Sequence, residues 1–367
     1  RGLAFLDRMI KRVRENEVEH ADLLHIPKTL VLCTDIFDEF METNEMYGVA
    51  MSDISDDEML THFLRGRLPH RLLADLEVFI DVVKSPLAIR SSSLLEDSHY
   101  QPFAGIYSTY MIPYSEDKYW RLEMLSNAIK SVYASVYYKG SKDYMTATSN
   151  VIDQEKMAVI LQEVVGQQFG PRFYPNVSGV ARSVNYYPIG DEKAEEGTVS
   201  LAMGLGKYIV DGGTALRVCP YHPNQVLQMS EMDIALRDTQ TNFIALETNI
   251  PTDSSGNRQK TQFQVDDGFN LVKGQIQPRG GLGIGNKHRT LAVYIIFCIG
   301  VLLAFQQTAY PFKVLGFSAA LLILPVGGDT VFGGFVHLPG ADLHLKGNAL
   351  GADHRGVQAL IHIRLGG

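Results

Sequence analysis

Tryptophan occurs once in this 367-residue chain, as Trp120, and cysteine only three times, as Cys33, Cys219 and Cys298. No two of these cysteines have the spacing of a metal knuckle, and they lie far apart, so reduced thiols in a cytoplasmic protein are the expectation. No secretory leader is recognisable. Positive charge is in short supply: 33 Lys and Arg stand against 41 Asp and Glu, a formal net charge of −8. That balance argues against a partner held through nucleic-acid phosphates. A basic amphipathic helix of the kind that rests on membranes is missing too. Scattered histidines such as His99 and His222 form no zinc-type pattern, and no Ser-His-Asp or Cys-His arrangement stands out.

Glutamate is absent altogether from residues 281–367, which contain only three aspartates (Asp329, Asp342 and Asp353) yet 15 of the 33 glycines. Two apolar runs, Leu291–Phe305 and Val314–Val326, lie in this stretch. Each is shorter than the roughly 20 residues a bilayer core requires. Three readings stand open: a membrane hairpin turning at 306–313, a small buried domain, or a tail that is not the natural continuation, such as a shifted reading frame. The string Gly280-Gly281-Leu282-Gly283-Ile284-Gly285 lacks the preceding strand and following Lys-Ser/Thr of a phosphate loop. At the other end the chain opens on Arg1 already in a helical pattern (Leu3, Leu6, Ile10, Val13), which reads as a fragment whose start lies upstream.

What is present before residue 275 is folded-protein sequence. Thr29–Thr34 reads as a short buried strand, followed by a helix through Asp38–Met46 with Asp35 as its N-cap. Ser55-Asp56-Asp57-Glu58 is a capping box. Pro69 opens a helix with Leu72, Leu73, Leu76, Phe79, Ile80 and Val83 on one face. Pro86–Arg90 is a strand, and Lys118–Lys139 a long helix. Met157–Val165 is a nearly continuous apolar run, predicting a strand buried on both faces. Val177–Asn185, Thr198–Met203, Gln225–Met229 and Asn242–Leu246 read as further strands. A helix-rich first half and a strand-rich second half predict a mixed α+β fold in two lobes, roughly 1–150 and 151–275, with 276–367 as a tail of doubtful origin.

Three clusters attract chemical attention. Arg90 closes a buried strand and is followed by Ser91, Ser92, Ser93, the acidic pair Glu96-Asp97 and the turn Phe103-Ala104-Gly105. A guanidinium there suits a phosphate or carboxylate, and small turn residues allow close approach of an anion; a salt bridge to Glu96 or Asp97 explains the same residues structurally. Gln162-Glu163 interrupt an apolar strand, either as members of an internal polar pair or as the start of a hinge presenting backbone groups to an adenine edge. Ser178-Gly179 and Gly204-Leu205-Gly206 mark either close approach of a ligand or plain hairpin turns.

The order of these segments resembles the N-terminal nucleotide-binding domain of phosphoenolpyruvate synthase and pyruvate phosphate dikinase. Arg90-Ser91-Ser92, Glu96-Asp97 and Phe103-Ala104-Gly105 are similar to that family's V-R-S-S-x-x-x-E-D…F-A-G block. Met157–Val165 resembles its M-A-V-x-V-Q-x-M-V strand, Ser178-Gly179-Val180-Ala181 its S-G-V-A-F, and Gly204-Leu205-Gly206 its G-L-G-E. The resemblance covers roughly residues 1–270 and implies a two-lobed ATP-grasp fold that closes over ATP and Mg2+. The family passes the β-phosphoryl group of ATP to a histidine on a separate mobile domain, which then phosphorylates pyruvate. By resemblance, Arg90, Ser91 and Ser92 would hold the ATP phosphates, with Arg90 also stabilising charge during transfer. Phe103, Ala104 and Gly105 would form the small loop over the phosphates. Gln162, Glu163 and Val165 would line the adenine pocket, flanked by Ser178 and Gly179.

Departures from the family pattern are equally specific. Its phosphate-binding lysine would precede Arg1, and its metal-holding carboxylates and closing Q-x-R-P motif would follow residue 270. Gln275-Ile276-Gln277-Pro278-Arg279 reverses the last two residues of that motif. Lys207 stands where the family has glutamate, and Arg182 where it has an aromatic residue. The sequence therefore implies an ATP-binding phosphotransferase domain whose phosphohistidine domain and pyruvate-type acceptor lie outside this chain. The alternatives are a non-catalytic nucleotide-sensing module of the same fold, or a membrane-tethered protein using residues 291–326.

Overall fold

A computed structural model describes residues 2–15, 24–93, 95, 105–148, 155–238, 240–249, 271–275, 342–348 and 358–364. It bears out a mixed α+β fold whose sheets are largely antiparallel. The chain divides into two compact units: the described residues of Lys28–Val164 and Leu246–Leu271 in one, those of Arg1–Pro27, Val165–Ala245 and Val272–Gly367 in the other.

The first unit is built on a four-stranded antiparallel sheet in the order β2-β5-β3-β4, from β2 (Thr29–Leu32), β3 (Leu87–Ser93), β4 (Thr109–Ile112) and β5 (Met157–Glu163). Its helices are α2 (Thr34–Thr43), α3 (Met46–Ala50), α4 (Asp56–Arg65), α5 (His70–Val82), α6 (Lys118–Ser135) and α7 (Lys139–Ala147). In the second unit lie α1 (Gly2–Glu15), β1 (Leu24–His25), the hairpin β6 (Gln167–Phe169) and β7 (Arg172–Tyr174), β8 (Val177–Arg182), β9 (Thr198–Ala202), α8 (Lys207–Val210), β10 (Leu216–Val218) and α9 (Met232–Arg237). β11 (Asn242–Glu247) and β12 (Leu271–Gln275) complete a second four-stranded sheet, β12-β11-β7-β6. The tail contributes β13 (Asp342–Asn348) and β14 (Gln358–Arg364), an antiparallel pair that joins β1 to β8 in a sheet ordered β1-β13-β14-β8-β9-β10. Leu291–Phe305, Val314–Val326, Cys298 and the 280–285 glycine string lie outside the described residues. No helix among the described residues is long and apolar enough to cross a membrane.

Most of the expected elements are found, with instructive shifts. The Ser55 capping box is complete: Ser55 Oγ accepts from the Glu58 amide, and Glu58 Oε2 accepts from the Ser55 amide. Asp35 is not an N-cap. The helix starts two residues earlier than that, at Thr34 behind Cys33, and Asp35 lies in its first turn, where its charge meets the helix dipole and Arg71 at 3.4 Å. The long helix expected to Lys139 ends at Ser135, because Val136–Tyr138 form a turn before α7. Gln225–Met229 is not a strand: Leu227–Met229 is a single 3-10 turn. β4 had not been expected, its four residues being too short a run to declare a period.

α6 explains how the first unit is held. Beyond its first turn it is buried nearly all round, from Trp120 to Ser135. Two of its buried side chains are cations. Arg121, 4% exposed, donates to the carbonyls of Ile80 and Val83 at 2.9 and 2.7 Å and lies over the Tyr114 ring. Lys130, 8% exposed, donates to the carbonyls of Leu64 and Gly66 at 2.7 and 3.4 Å. Those carbonyls lie at the C-terminal ends of α5 and α4, where backbone acceptors lack intrahelical donors and the dipole is negative. Burial holds the pKa of both cations below the ordinary value, with Tyr114 and Asp81 opposing it at Arg121 and Glu123 at Lys130. Tyr133, by contrast, buries a hydroxyl with no hydrogen-bond partner, edge-on to Phe37, and burial pushes its phenol pKa up.

Two substitutions separate these effects in urea unfolding. Lys130→Met should cost about 2–4 kcal/mol, because it strands the C-terminal carbonyls of α4 in the core. Tyr133→Phe removes only an unsatisfied hydroxyl and should leave stability unchanged or raise it by about 1 kcal/mol.

Candidate functional site

In an antiparallel sheet, directly paired residues point to the same face. Leu30, Leu161, Ile89 and Tyr110 form one such row across β2-β5-β3-β4, and all four pack in or against the main core. The opposite face carries two further rows. Val31, Ile160, Arg90 and Thr109 form the first; Thr29, Gln162, Ala88 and Met111 the second. Val31 is 49% exposed, and Ile160, Arg90 and Thr109 are partly exposed, whereas Gln162, Ala88 and Met111 are buried. Arg90 thus projects from the face turned away from the core, flanked by an aliphatic and a hydroxyl side chain.

The pleat sorts the neighbouring serines. Ser92, opposite Ala158, shares the face of Arg90, while Ser91, opposite Val159, lies on the core side. Gly105 has a positive φ of 82°, is exposed, and an added Cβ would meet nothing within 4 Å. The left-handed conformation, rather than crowding, requires glycine here. Phe103 and Ala104 lie outside the described residues, as do Glu96 and Asp97.

Gln162 is 1% exposed; its Nε2 donates to Thr29 Oγ1 at 2.9 Å, and its Oε1 is buried without a partner. A buried orphan acceptor is costly unless a donor arrives. Glu163 accepts from Ser85 Oγ at 2.5 Å, so Gln162 and Glu163 each have a separate hydroxyl partner. The amides of Glu163 and Val164 donate to the carbonyls of Lys28 and Pro86 at 2.9 and 2.8 Å, which pins the exit of β5.

In the second unit, Val165 is buried, and Ser178 and Gly179 sit in mid-sheet on β8, opposite Ala202 and Leu201 of β9. A Cβ on Gly179 would come within 2.7 Å of Leu201 Cδ2 and 3.1 Å of the Ser200 carbonyl. Close packing of β9 therefore accounts for this glycine. Ser178 Oγ donates to the Gly204 carbonyl at 2.5 Å, tying β8 to the turn that enters α8. Lys207 opens α8 and pairs with Asp211 at 3.4 Å. The long β8–β9 connection is clasped by a buried carboxylate: Glu192 accepts from Arg217, Asn185 Nδ2 and the Ile189 amide. Burial pushes the Glu192 carboxyl up, but the bonds from Arg217, Asn185 and Ile189 outweigh it and hold its pKa below the usual value.

Neither Thr29 nor Thr109 is conspicuous in sequence, yet register places both on the Arg90 face. The signal for Thr109 was the β-branched and aromatic Thr109-Tyr110-Met111-Ile112 ahead of Pro113. Among the described residues no group of three His, Cys, Asp or Glu is arranged to hold a metal ion.

Largely antiparallel sheets packed with helices define the class as an α+β protein. Comparison with protein families adds the function of that class: the pyruvate phosphate dikinase AMP/ATP-binding domain matches residues 7–262. The chain belongs to this AMP/ATP-binding domain family. It is also similar to an uncharacterized phosphotransferase, YvkC, of Bacillus subtilis (strain 168), being 26% identical over 200 residues. That alignment covers 52% of this chain and 20% of the relative, so the chain spans about a fifth of the protein it matches.

Gly179→Ala should destabilise the second unit by about 1–3 kcal/mol in urea unfolding, because neither Leu201 nor the β9 backbone can yield freely. The depressed pKa of Glu192 gives stability that is present above the ordinary carboxylate value and lost as pH falls through the lower native value. Glu192→Gln should therefore flatten the acid limb of a stability–pH profile, relative to the wild-type chain.

Proposed function

We propose that this domain binds ATP with magnesium and prepares its β-phosphoryl group for transfer to a histidine on a separate mobile domain, as in phosphoenolpyruvate synthase (pyruvate, water dikinase). The observation that carries the reading is the placement of Arg90 on the sheet face turned away from the core, beside Ser92 and Thr109, in a chain of the AMP/ATP-binding family. There the guanidinium fork would grip phosphate oxygens and offset charge that develops during transfer. Ser92, on the same face, would support that grip, whereas Ser91 faces the core side; Phe103, Ala104 and Gly105 would pass over the phosphates. Gln162 and Glu163 would line the adenine. The orphan Oε1 of Gln162 supports this, since an exocyclic amino group would satisfy it. The two Arg90-face rows hold no carboxylate, so the described residues do not fit a magnesium ligand set, and the ion would arrive with the triphosphate. The free thiols of Cys33 and Cys219 support a cytoplasmic setting.

A second reading is a nucleotide-sensing module without transfer activity. Lys207 favours it, because a cation paired with Asp211 stands where an acidic role would be needed. ATP-dependent AMP release, with phosphorylation of a supplied histidine domain, supports the enzyme; nucleotide binding without either product supports the sensor.

Isothermal titration of the full chain with Mg-ATP tests the shared core of both. Arg90→Ala should weaken binding about tenfold or more, a loss of at least ~1.4 kcal/mol. Arg71→Ala, which breaks an exposed ion pair on α5, should bind as wild type does. Equal affinities for wild type and Arg90→Ala would sink the phosphate role.

A further inference from the structure

One buried carboxylate in the first unit has no part in the reading above. Glu155, 5% exposed, lies two residues before β5, and its Oε1 accepts a hydrogen bond from the Tyr107 hydroxyl at 3.2 Å. Tyr107, 4% exposed, packs in the main core and lies two residues after Gly105. Holding a carboxylate at the margin of an apolar core costs free energy, so the bond it makes there must be worth keeping. The adjoining backbone is fastened as well: the Ser108 amide donates to Ser135 Oγ at 3.3 Å, and that hydroxyl donates to the Val132 carbonyl of α6.

Residues 105–108 are therefore tied at two points, to the approach of β5 and to α6. Gly105 is the first residue of this tied segment, exposed, in a left-handed conformation with open space on its side-chain side. The sheet register gives the direction. Ser93 pairs with Met157, so Glu155 lies beyond the last rung, at the end of the sheet toward which Arg90–Ser93 runs.

We propose that Tyr107 and Glu155 are a positioning pair that holds the Gly105 backbone in place for the phosphates of a bound nucleotide. The inference rests on the nucleotide-binding reading above and adds to it two residues that would touch no ligand. Both act through Gly105: the phenol fixes the stem of its turn, and the carboxylate fixes the phenol. The pair then matters to ligands that carry phosphates and is silent toward those that do not.

Titration calorimetry of the full chain with Mg-ATP and, separately, with adenosine reads this selectivity. Tyr107→Phe and Glu155→Ala should each weaken ATP binding about fivefold or more, the scale of one lost buried hydrogen bond, and leave adenosine affinity unchanged. Glu155→Gln should remain within about twofold of wild type, because a carboxamide oxygen accepts the same bond. Unchanged ATP affinity in Tyr107→Phe and Glu155→Ala overturns the inference. So does a parallel loss of ATP and adenosine, which would mark the pair as structural only, and so does a Glu155→Gln variant as weak as Glu155→Ala. A wild-type chain that binds neither ligand overturns the nucleotide reading itself, and the inference with it.

Discussion

Leu30, Leu161, Ile89 and Tyr110 lie side by side across four strands and leave water together, each aliphatic side chain contributing about 1.5–3 kcal/mol when fully buried. Because side chains alternate along a strand, burying that row commits Val31, Ile160, Arg90 and Thr109 to the other face. A slip of one residue would drive the Arg90 guanidinium into the core and expose Ile89. The position of the candidate phosphate ligand is thus enforced by the hydrophobic effect acting on its neighbours. No interaction of Arg90 itself has to place it.

The helices beneath the sheet follow a related economy. Beyond its first turn α6 is buried almost all round because it is enclosed by sheet and helices, and it carries Arg121 and Lys130 inside. Each ends on the carbonyls that terminate a neighbouring helix, so one buried cation satisfies acceptors that would otherwise be stranded, and fixes where that helix stops. In the second unit the clasp of Glu192 by Arg217 and Asn185 organises the long β8–β9 connection by the same chemistry with the sign reversed.

Much of the first unit could be read directly. The Ser55 capping box and the apolar face of α5 behind Pro69 announce themselves because their signals are local, and the run Met157–Val165 announces a strand, though β5 ends at Glu163 and only its face of Met157, Val159 and Leu161 is fully buried. Where the reading slipped, longer-range forces had decided. Asp35 suits an N-cap, but the helix begins earlier and uses that carboxylate toward Arg71. Gln225–Met229 alternates like a strand, yet contains a turn whose Gln228 accepts from the Arg217 amide. The small residues of the Ser178-Gly179 pair were open to a ligand or to a hairpin turn, and Gly179 lies in mid-strand with Leu201 of β9 close against it.

The candidate site divides along the same line. Residue order alone determined the family, because Arg90-Ser91-Ser92, Met157–Val165, Ser178-Gly179 and Gly204-Leu205-Gly206 are short covalent patterns that survive without knowledge of contacts. Only the tertiary structure decided that Arg90 and Ser92 share a face while Ser91 turns to the core, that Thr109 stands beside Arg90 and Thr29 lies on the same face against Gln162, and that Glu155 meets Tyr107 across 48 residues of chain. Those facts depend on strand register and on which face is buried. Neither quantity belongs to a single segment; each is settled when separate segments exclude water together.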